Sequence, residues 1–290
     1  MKGITAVFLS LVIAPAAVKS APRYPALEQI SMNAPAAPSP AVSKPTAYDL
    51  GSAPKRMSAC AHATVWSGAG DDGGKQEVET QLRKGEPVLL REEKGDWARI
   101  EAVEQLEFTH NKRWEGYPGW VRRSDLCESR GTGLRDAVAD KSARSRANPD
   151  AILAAAEQFL GDPYFWGGVP ESGGKQGIDC SGLVFYSYRA NGMLLPRDAH
   201  EQWMKARPIR ADEMRKGDLI FSGKPDGAGG TKITHVMMYI SEDYFIEATG
   251  GTVRKTRKAT AMEKFGASFR GLRSGDAAAG TTVYFGSFLH

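Results

Sequence analysis

Residues 177–184 read Gly-Ile-Asp-Cys-Ser-Gly-Leu-Val, and an apolar, helix-compatible run continues from them to Arg189. Cys180 is therefore predicted to lie at or near the N-terminus of a helix. Unpaired backbone N–H groups and the positive end of the helix dipole favour an anion at that position. A thiolate is such an anion, so Cys180 is a candidate nucleophile. The alternative is a buried, inert cysteine.

A cysteine nucleophile needs a base, and the base needs a partner that orients it. Among the five histidines, His235 is predicted to begin a strongly apolar strand, whereas His200 is predicted to lie in a polar, exposed segment after Pro196. Glu247 interrupts the apolar run of the next predicted strand. Its carboxylate could face the imidazole across paired strands and fix the tautomer. The alternative for Glu247 is an edge charge that points to water.

Composition and the first residues predict an exported protein. The chain has 290 residues and a formal net charge of +4, which suggests one or two domains and does not call for a nucleic-acid partner. Residues 1–21 combine Lys2, a short apolar core and a small-residue cleavage site, as a secretory signal peptide does. The apolar run is too short to span a membrane. We therefore expect a location in the periplasm, the cell envelope or outside the cell.

The chain divides by composition into five segments. The signal peptide at 1–21 is followed by a Pro-, Ala- and Ser-rich stretch at 22–56, which predicts a flexible linker or, alternatively, an arm packed on a later domain. Short alternating segments separated by turn signals at 57–129 predict a small all-β barrel with a polar hairpin at 101–114. The charged composition of residues 130–149 predicts a second linker. Helices followed by strands at 150–290 predict an α+β domain.

The three cysteines have different predicted roles. Disulfides persist outside the cytoplasm, and one pair leaves one thiol over. Cys60 and Cys127 lie at the two ends of the predicted barrel, where first and last strands often adjoin, so they are expected to form a disulfide; the alternative is two separate buried thiols. No Cys-x-x-Cys spacing exists, which argues against a structural zinc site. We predict neither a metal nor another cofactor.

Six motifs occur in a fixed order along the C-terminal half. They are Tyr164-x-Trp166-Gly167-Gly168, Asp179-Cys180-Ser181-Gly182-Leu183-Val184, Leu195-Pro196-Arg197-Asp198 with Gln202, Lys216-Gly217-Asp218-Leu219-Ile220-Phe221, Thr234-His235-Val236 and Phe245-Ile246-Glu247-Ala248. Together they resemble the NlpC-type peptidoglycan endopeptidases, whose fold is a reduced papain-like α+β domain. The resemblance implies Cys180 as nucleophile, His235 as general base and Glu247 as the orienting residue. The family usually carries His, Asn or Gln at this third place.

The predicted barrel resembles the bacterial SH3-like domains found beside cell-wall hydrolases. Family members with such a domain resemble enzymes that cut after γ-D-glutamate, before a diamino acid, in stems with a free N-terminal L-alanine. The resemblance implies that Asp179 and Ser181 hold the substrate amine and that Tyr117 from the barrel closes the end of the site. Tyr164 and Trp166 are further expected substrate-binding residues. The alternative for Tyr117 is an ordinary place in the barrel core.

These observations predict an exported cysteine peptidase that acts on peptidoglycan stem peptides. Two alternatives remain open at the level of sequence. One is a wall-binding module without activity, which the barrel alone would support. The other is an acyltransferase on the same fold, in which an amine or alcohol replaces water. No nucleic-acid partner is expected, nor an integral membrane segment once the signal peptide is removed.

Overall fold

The computed structural model describes residues 55–70, 75–109, 112–128, 147–169, 177–227, 230–250 and 255–290. The predicted signal peptide, nearly all of the first linker and most of the second lie outside these ranges. Their assignments stay predictions. Within the described ranges no helix combines the length and the apolar character needed to cross a membrane.

The N-terminal half of the described chain forms a seven-stranded antiparallel sheet. Its strands are β1 (Lys55–Ala59), β2 (Ala63–Trp66), β3 (Val78–Leu82), β4 (Pro87–Lys94), β5 (Trp97–Phe108), β6 (Trp114–Arg122) and β7 (Leu126–Glu128). They are ordered β3-β2-β6-β5-β4-β1-β7. The short strands predicted at 57–129 are thus present. However, β1 begins at Lys55, inside the predicted linker, because it pairs with both β4 and β7.

The hairpin predicted at 101–114 is present, but strands β5 and β6 themselves form it, and most of this range is strand rather than a polar connection between strands. Strand β5 continues through this region to Phe108, and β6 begins at Trp114. The polar side chains misled the prediction because two of them, Glu104 and Gln105, are buried with partners. Gln105 receives a hydrogen bond from Thr80 and donates one to Glu86 at 2.8 Å. A strand can carry buried polar residues when each is paired in this way.

The predicted disulfide links the first and last strands of the first sheet in chain order. Cys60 and Cys127 are bonded, with their Cα atoms 5.3 Å apart. Strand β1 pairs with β7 so that Ser58 lies opposite Cys127, which brings the beginning and the end of this segment of the chain together. This prediction is confirmed, and Cys180 is the free cysteine.

Four α-helices lie in the described part of the C-terminal half. They are α1 (Pro149–Glu157), α2 (Cys180–Ala190), α3 (Ala199–Lys205) and α4 (Ala261–Phe265). The sequence predicted α1 and α2. It did not predict α3, which lies in a segment interpreted as a polar connection, or α4, whose five residues are too few to show helical periodicity.

A second antiparallel sheet supports these helices. Its strands are β8 (Arg207–Pro208), β9 (Leu219–Pro225), β10 (Thr231–Ser241), β11 (Tyr244–Thr249), β12 (Lys255–Thr260), β13 (Ala277–Ala278) and β14 (Thr281–Ser287). The order is β12-β11-β10-β9-β14-β13, with β8 on β14. Helix α2 packs on β10 and β11 through a common apolar core that includes Leu183, Val184, Val236 and Ile246. His235 lies within β10 and does not begin it, because four residues of the strand precede it.

Backbone contacts join the two halves. The N–H of Arg197 donates to the carbonyl of Leu106 near the end of β5, at 2.9 Å, and Leu106 forms a parallel bridge with Pro196. Side chains reinforce this contact, since Arg189 of α2 pairs with Glu86 at 3.0 Å and with Glu104. The end of β5 is therefore fixed directly beside the segment that follows α2.

Candidate active site

Cys180 is the first residue of helix α2, as predicted. Asp179 caps the helix, and its Oδ1 accepts the backbone N–H of Gly182 at 2.5 Å. Its Oδ2 accepts the N–H of Gly167 at 2.8 Å, which ties the glycine-rich turn to the helix start. A capping carboxylate satisfies one of the unpaired N–H groups of the first turn. The helix start is thereby held in one conformation around Cys180.

Gly182 is required by close packing against the turn. A Cβ atom at this position would lie 2.3 Å from the carbonyl oxygen of Gly168 and 2.7 Å from Oδ1 of Asp179. Neither contact can relax cheaply, because one involves backbone and the other the capping carboxylate. The glycine lets the turn approach the helix directly beside the sulfur.

His235 and Glu247 lie on neighbouring strands of the second sheet and are hydrogen bonded. Nε2 of His235 is 2.7 Å from Oε2 of Glu247. The carboxylate orients this nitrogen as a donor and leaves Nδ1 for the thiol. Burial lowers the pKa of His235, but the charge and hydrogen bond of Cys180, together with Glu247, outweigh burial and raise the pKa to about 9. The three side chains therefore interact as a unit in which the imidazole readily holds a proton.

Glu247 is fully buried, so the alternative of a solvent-facing edge charge is excluded. Besides His235, it is contacted by Lys264 Nζ at 2.7 Å and by Arg257 Nη2 at 3.0 Å. Burial raises the pKa of Glu247, but the hydrogen bond and charge of His235 and then Lys264 outweigh it and lower the pKa to about 2. The carboxylate is thus ionised throughout the neutral range. Neither cation was identified from the sequence.

Arg197 forms a bidentate ion pair with the carboxylate of Asp179. The guanidinium donates to Oδ1 at 3.1 Å and to Oδ2 at 2.8 Å, and also to Oγ of Ser181 at 3.0 Å. Its Nε donates to Oγ1 of Thr80 in the first sheet at 2.9 Å. Arg197 is fully buried. Asp179 and Ser181, both predicted to bind substrate, therefore already have a cationic protein partner.

Tyr117 is buried and points toward Asp198. Its hydroxyl donates to Oδ2 of Asp198 at 3.0 Å and lies 3.5 Å from Oε2 of Glu79. Burial and the charge of Asp198 raise the pKa of Tyr117, so the phenol remains a donor. The structure thus joins Tyr117 to Asp198, the next residue after Arg197, and does not join it to Asp179.

A group of carboxylates surrounds this hydroxyl. Burial is the main cause that raises the pKa of Asp198 to about 6, with Arg197 opposing it and Asp179 adding to it. Burial and the charge of Asp198 raise the pKa of Glu107 to about 7 and also raise that of Glu79. Oε2 of Glu107 is buried without a hydrogen-bond partner among the described residues. Closely spaced carboxylates with raised pKa values favour a bound cation.

The remaining predicted residues lie near the glycine-rich turn. Tyr164 forms a parallel bridge with Ile178, two residues before Cys180. Trp166 is two-thirds exposed and is available to a ligand. His200 lies in α3, where its Nδ1 accepts the N–H of Ile233 at 3.2 Å. In the part of the chain that the structure describes, no three His, Cys, Asp or Glu side chains are grouped as metal ligands.

Residues 161–268 match the family model described as the NlpC/P60 family. The chain carries an NlpC/P60 domain. The matched range contains Cys180, His235 and Glu247. The predicted resemblance is therefore confirmed, and with it the prediction that this domain belongs to a family of cysteine peptidases. The expected α+β, papain-like class of this domain is confirmed as well.

Relatives of the NlpC/P60 domain include named peptidases. The gamma-D-glutamyl-L-lysine dipeptidyl-peptidase of Bacillus subtilis is 27% identical over 214 residues, which cover 56% of this chain and 69% of the relative. The peptidoglycan endopeptidase RipB of Mycobacterium tuberculosis is 33% identical over 130 residues, which cover 40% of this chain and 52% of the relative. The chain therefore spans only about half the length of the second relative.

A solved structure supports the fold. The crystal structure of an NlpC/P60 family protein from Bacillus cereus aligns with a TM-score of 0.57 and 19% sequence identity, covering 71% of this chain and 94% of the other. At this identity the likeness concerns the fold alone.

Proposed function

We propose that this protein is an exported cysteine peptidase that hydrolyses peptidoglycan stem peptides. The observation that carries the proposal is the unit formed by Cys180, His235 and Glu247, with the thiol at a helix start and the imidazole fixed at 2.7 Å by a buried carboxylate. Two of the similar proteins are named for peptidoglycan or for a γ-D-glutamyl-L-lysine bond, which supports this substrate class.

The site supplies the groups that hydrolysis of an amide by a thiol nucleophile requires. The thiolate of Cys180 attacks the amide carbonyl, and unpaired N–H groups at the start of α2 stabilise the oxyanion. The imidazolium of His235 gives its proton to the leaving amine, and a thioester remains on the sulfur. Neutral His235 then takes a proton from water, whose oxygen attacks the thioester. The acid leaves, and the thiolate and imidazolium form again.

The acidic group around Tyr117 supports recognition of a free N-terminal amine. Asp179 is already neutralised by Arg197, so we assign the ammonium of an unsubstituted L-alanine to Asp198 and Glu79, with Tyr117 between them. An ammonium would offset the repulsion among these carboxylates and could satisfy the unpaired oxygen of Glu107. The cut would then fall after γ-D-glutamate, before the diamino acid.

The first sheet has a role in this proposal. We assign this sheet, which begins at Lys55 and ends at Glu128, to an SH3-like domain that precedes the peptidase domain at 150–290 and closes one end of the cleft. Tyr117, Glu79 and Glu107 all belong to this sheet, so a stem that is still attached through its N-terminus would meet protein where its own chain continues. Steric exclusion of this kind refuses longer substrates.

Export completes the proposal. Peptidoglycan lies outside the cytoplasm, and the signal peptide at 1–21 would deliver the enzyme to the periplasm or cell envelope. The Cys60–Cys127 disulfide fits this location, because disulfides persist in oxidising compartments.

Mass analysis of defined muropeptides tests the function. Free L-Ala-γ-D-Glu-diamino acid tripeptide should give L-Ala-D-Glu and free diamino acid with the intact protein, and no product with Cys180→Ala. A product joined to an added amine would indicate transfer. Binding of the tripeptide without any product would indicate a wall-binding module. Either result would contradict the proposed hydrolysis.

A further inference from the structure

The carboxylate of Glu247 has more partners than orienting an imidazole requires. Oε2 lies 2.7 Å from both His235 Nε2 and Lys264 Nζ, so two donors share one oxygen. Oε1 accepts from Arg257 through Nε at 3.2 Å and Nη2 at 3.0 Å. The side chain of Glu247 is fully enclosed, whereas Arg257 and Lys264 are each one-quarter exposed.

Three different elements supply these partners. Glu247 belongs to β11 and Arg257 lies directly opposite it on β12. Lys264 comes from the short helix α4, which Thr260 caps by accepting the N–H of Glu263 at 3.2 Å. Glu263 in turn pairs with Arg257. The charged groups around His235 are thus Cys180 from α2, Glu247 from β11, Arg257 from β12, and Lys264 and Glu263 from α4.

The charges of this cluster balance. Glu247 and Glu263 carry two negative charges, and Arg257 and Lys264 carry two positive ones. A thiolate on Cys180 and an imidazolium on His235 add one charge of each sign, so the whole cluster is neutral with the catalytic ion pair formed. A buried carboxylate alone would hold the imidazole proton more tightly, since an opposite charge within about 4–6 Å stabilises the protonated form.

We propose that Lys264 and Arg257 are positioning residues that hold Glu247 in place and limit how strongly it retains the proton of His235. An amide or an imidazole at this third place needs no counter-charge, whereas a carboxylate does. The two cations let a glutamate orient the base and still allow the proton to leave during acyl transfer. The inference rests on the proposed thiol chemistry of Cys180 and His235.

Titration of His235 by NMR tests the inference without any peptide substrate. The ring C–H signals are followed between pH 5 and pH 11 in the full chain. Lys264→Met should raise the His235 midpoint by about one pH unit, because a cation beside the carboxylate is lost. Lys264→Arg, which keeps the positive charge, should leave the His235 midpoint at its value in the unchanged protein. Lys258→Met is the matched control, since Lys258 lies on β12 next to Arg257 but pairs with Glu157.

A double variant separates action through Glu247 from a direct effect on the ring. Glu247→Gln should lower the midpoint, the opposite direction to Lys264→Met. On the Glu247→Gln background, Lys264→Met should shift the midpoint by less than half of its single effect. Equal shifts on both backgrounds would show a direct effect and would overturn the proposal.

Folding of each variant is checked by circular dichroism, and Arg257→Gln is titrated in parallel in case Lys264→Met does not fold. Unchanged midpoints in the folded variants would also overturn the proposal. The result is distinguishable from failure of the proposed function. Shifted midpoints in a protein that cuts no muropeptide would refute the function alone, and normal cutting with unshifted midpoints would refute this inference alone.

Discussion

Arg197 binds both carboxylate oxygens of Asp179, at 3.1 and 2.8 Å, from a fully buried position. Asp179 immediately precedes Cys180, the proposed nucleophile, and caps its helix. The pair therefore links the start of the catalytic helix to Thr80 in the first sheet, which Arg197 also contacts. Bidentate pairing of this kind fixes geometry as well as charge.

Arg197→Met should destabilise the protein strongly. Removing one partner of a buried ion pair typically costs about 3–5 kcal/mol, because the other charge is left uncompensated. The measurement is the free energy of unfolding in urea. Arg210→Met is the control, because Arg210 is 71% exposed and pairs only at the surface; its effect should stay within about 0.5 kcal/mol. Equal effects of the two substitutions would contradict a structural role for the buried pair.

Cys180→Ala and Cys180→Ser should abolish hydrolysis and preserve the fold. His235→Ala should be nearly as severe, because members of a catalytic unit act together and their effects do not add. His200→Ala should retain most activity, since this ring bonds the backbone of Ile233 and takes no part in the unit. Rates on the free tripeptide, with circular dichroism for each variant, give the comparison. A Cys180 variant whose rate of hydrolysis falls only a few fold would refute the mechanism.

Glu247→Gln should keep measurable activity, because an amide oxygen still accepts the imidazole N–H. The variant leaves Arg257 and Lys264 without their counter-charge, which disfavours the imidazolium. The alkaline limit of kcat/KM, which follows the His235 pKa of about 9, should therefore move to lower pH. Glu247→Leu should lose on the order of a hundredfold or more, as the ring is no longer oriented. An inactive Gln variant beside a normal Leu variant would exclude Glu247 from this role.

The lowered pKa of Glu247 predicts that the folded protein loses stability in acid. The folded-state pKa of Glu247 is about 2, below its ordinary value of 4.5. Its ion pairs therefore stabilise the fold fully above pH 4.5, and this contribution is lost as the pH falls toward 2. The unfolding free energy of Glu247→Gln should accordingly depend less on pH between 4.5 and 2 than that of the unchanged protein. Parallel curves for the two proteins would contradict this assignment.

Tyr117→Phe and Tyr117→Ala test the amine site. Loss of a charge-assisted hydrogen bond costs about 1.5–3 kcal/mol, which corresponds to roughly ten- to a hundredfold in kcat/KM on the free tripeptide. The N-acetylated tripeptide should be cut poorly by the unchanged protein and should lose little more in either variant. Equal rates on the free and acetylated tripeptides with the unchanged protein would remove the proposed gating by the first sheet.

Thiol titration should find one free thiol in the native, exported protein and three after reduction and unfolding. The Cys60–Cys127 bridge spans a sequence separation of 67 residues. In the chain-entropy model a bridge of this span contributes about 4 kcal/mol to stability. Replacing both cysteines with Ala should lower the unfolding free energy by about that amount and leave the reactivity of Cys180 unchanged. Three free thiols in native protein would contradict the prediction.

Local signals in the sequence were sufficient to select Cys180, His235 and Glu247 as the candidate catalytic residues, which the structure brings together. Cys180 precedes an apolar helical run, His235 was predicted at the start of an apolar strand, and Glu247 interrupts the apolar run of the next strand. Each is a departure from a local pattern that periodicity reveals. The disulfide was predictable for a similar reason, since Cys60 and Cys127 frame a run of short strands.

The partners of these residues could not be predicted in the same way. Arg197 meets Thr80 over a separation of 117 positions, and Tyr117 meets Asp198 over 81. Lys264 and Arg257 look like ordinary surface cations in a basic stretch, because nothing local shows that a buried carboxylate lies beneath them. Tertiary packing determines which of these residues meet, and the residue pattern within one strand or helix does not show how that element packs against others.

The backbone hydrogen bond between Arg197 and Leu106 fixes the distance between two parts of the proposed site. The first part is formed by the carboxylates of Glu107 and Asp198, which are the immediate neighbours of Leu106 and Arg197. The second part is the sulfur of Cys180 at the start of α2. Under the proposed function, this fixed distance would determine which bond is cut, counted in residues from the free N-terminus of the stem peptide. Side chains beyond that bond would then have little influence on the position of the cut.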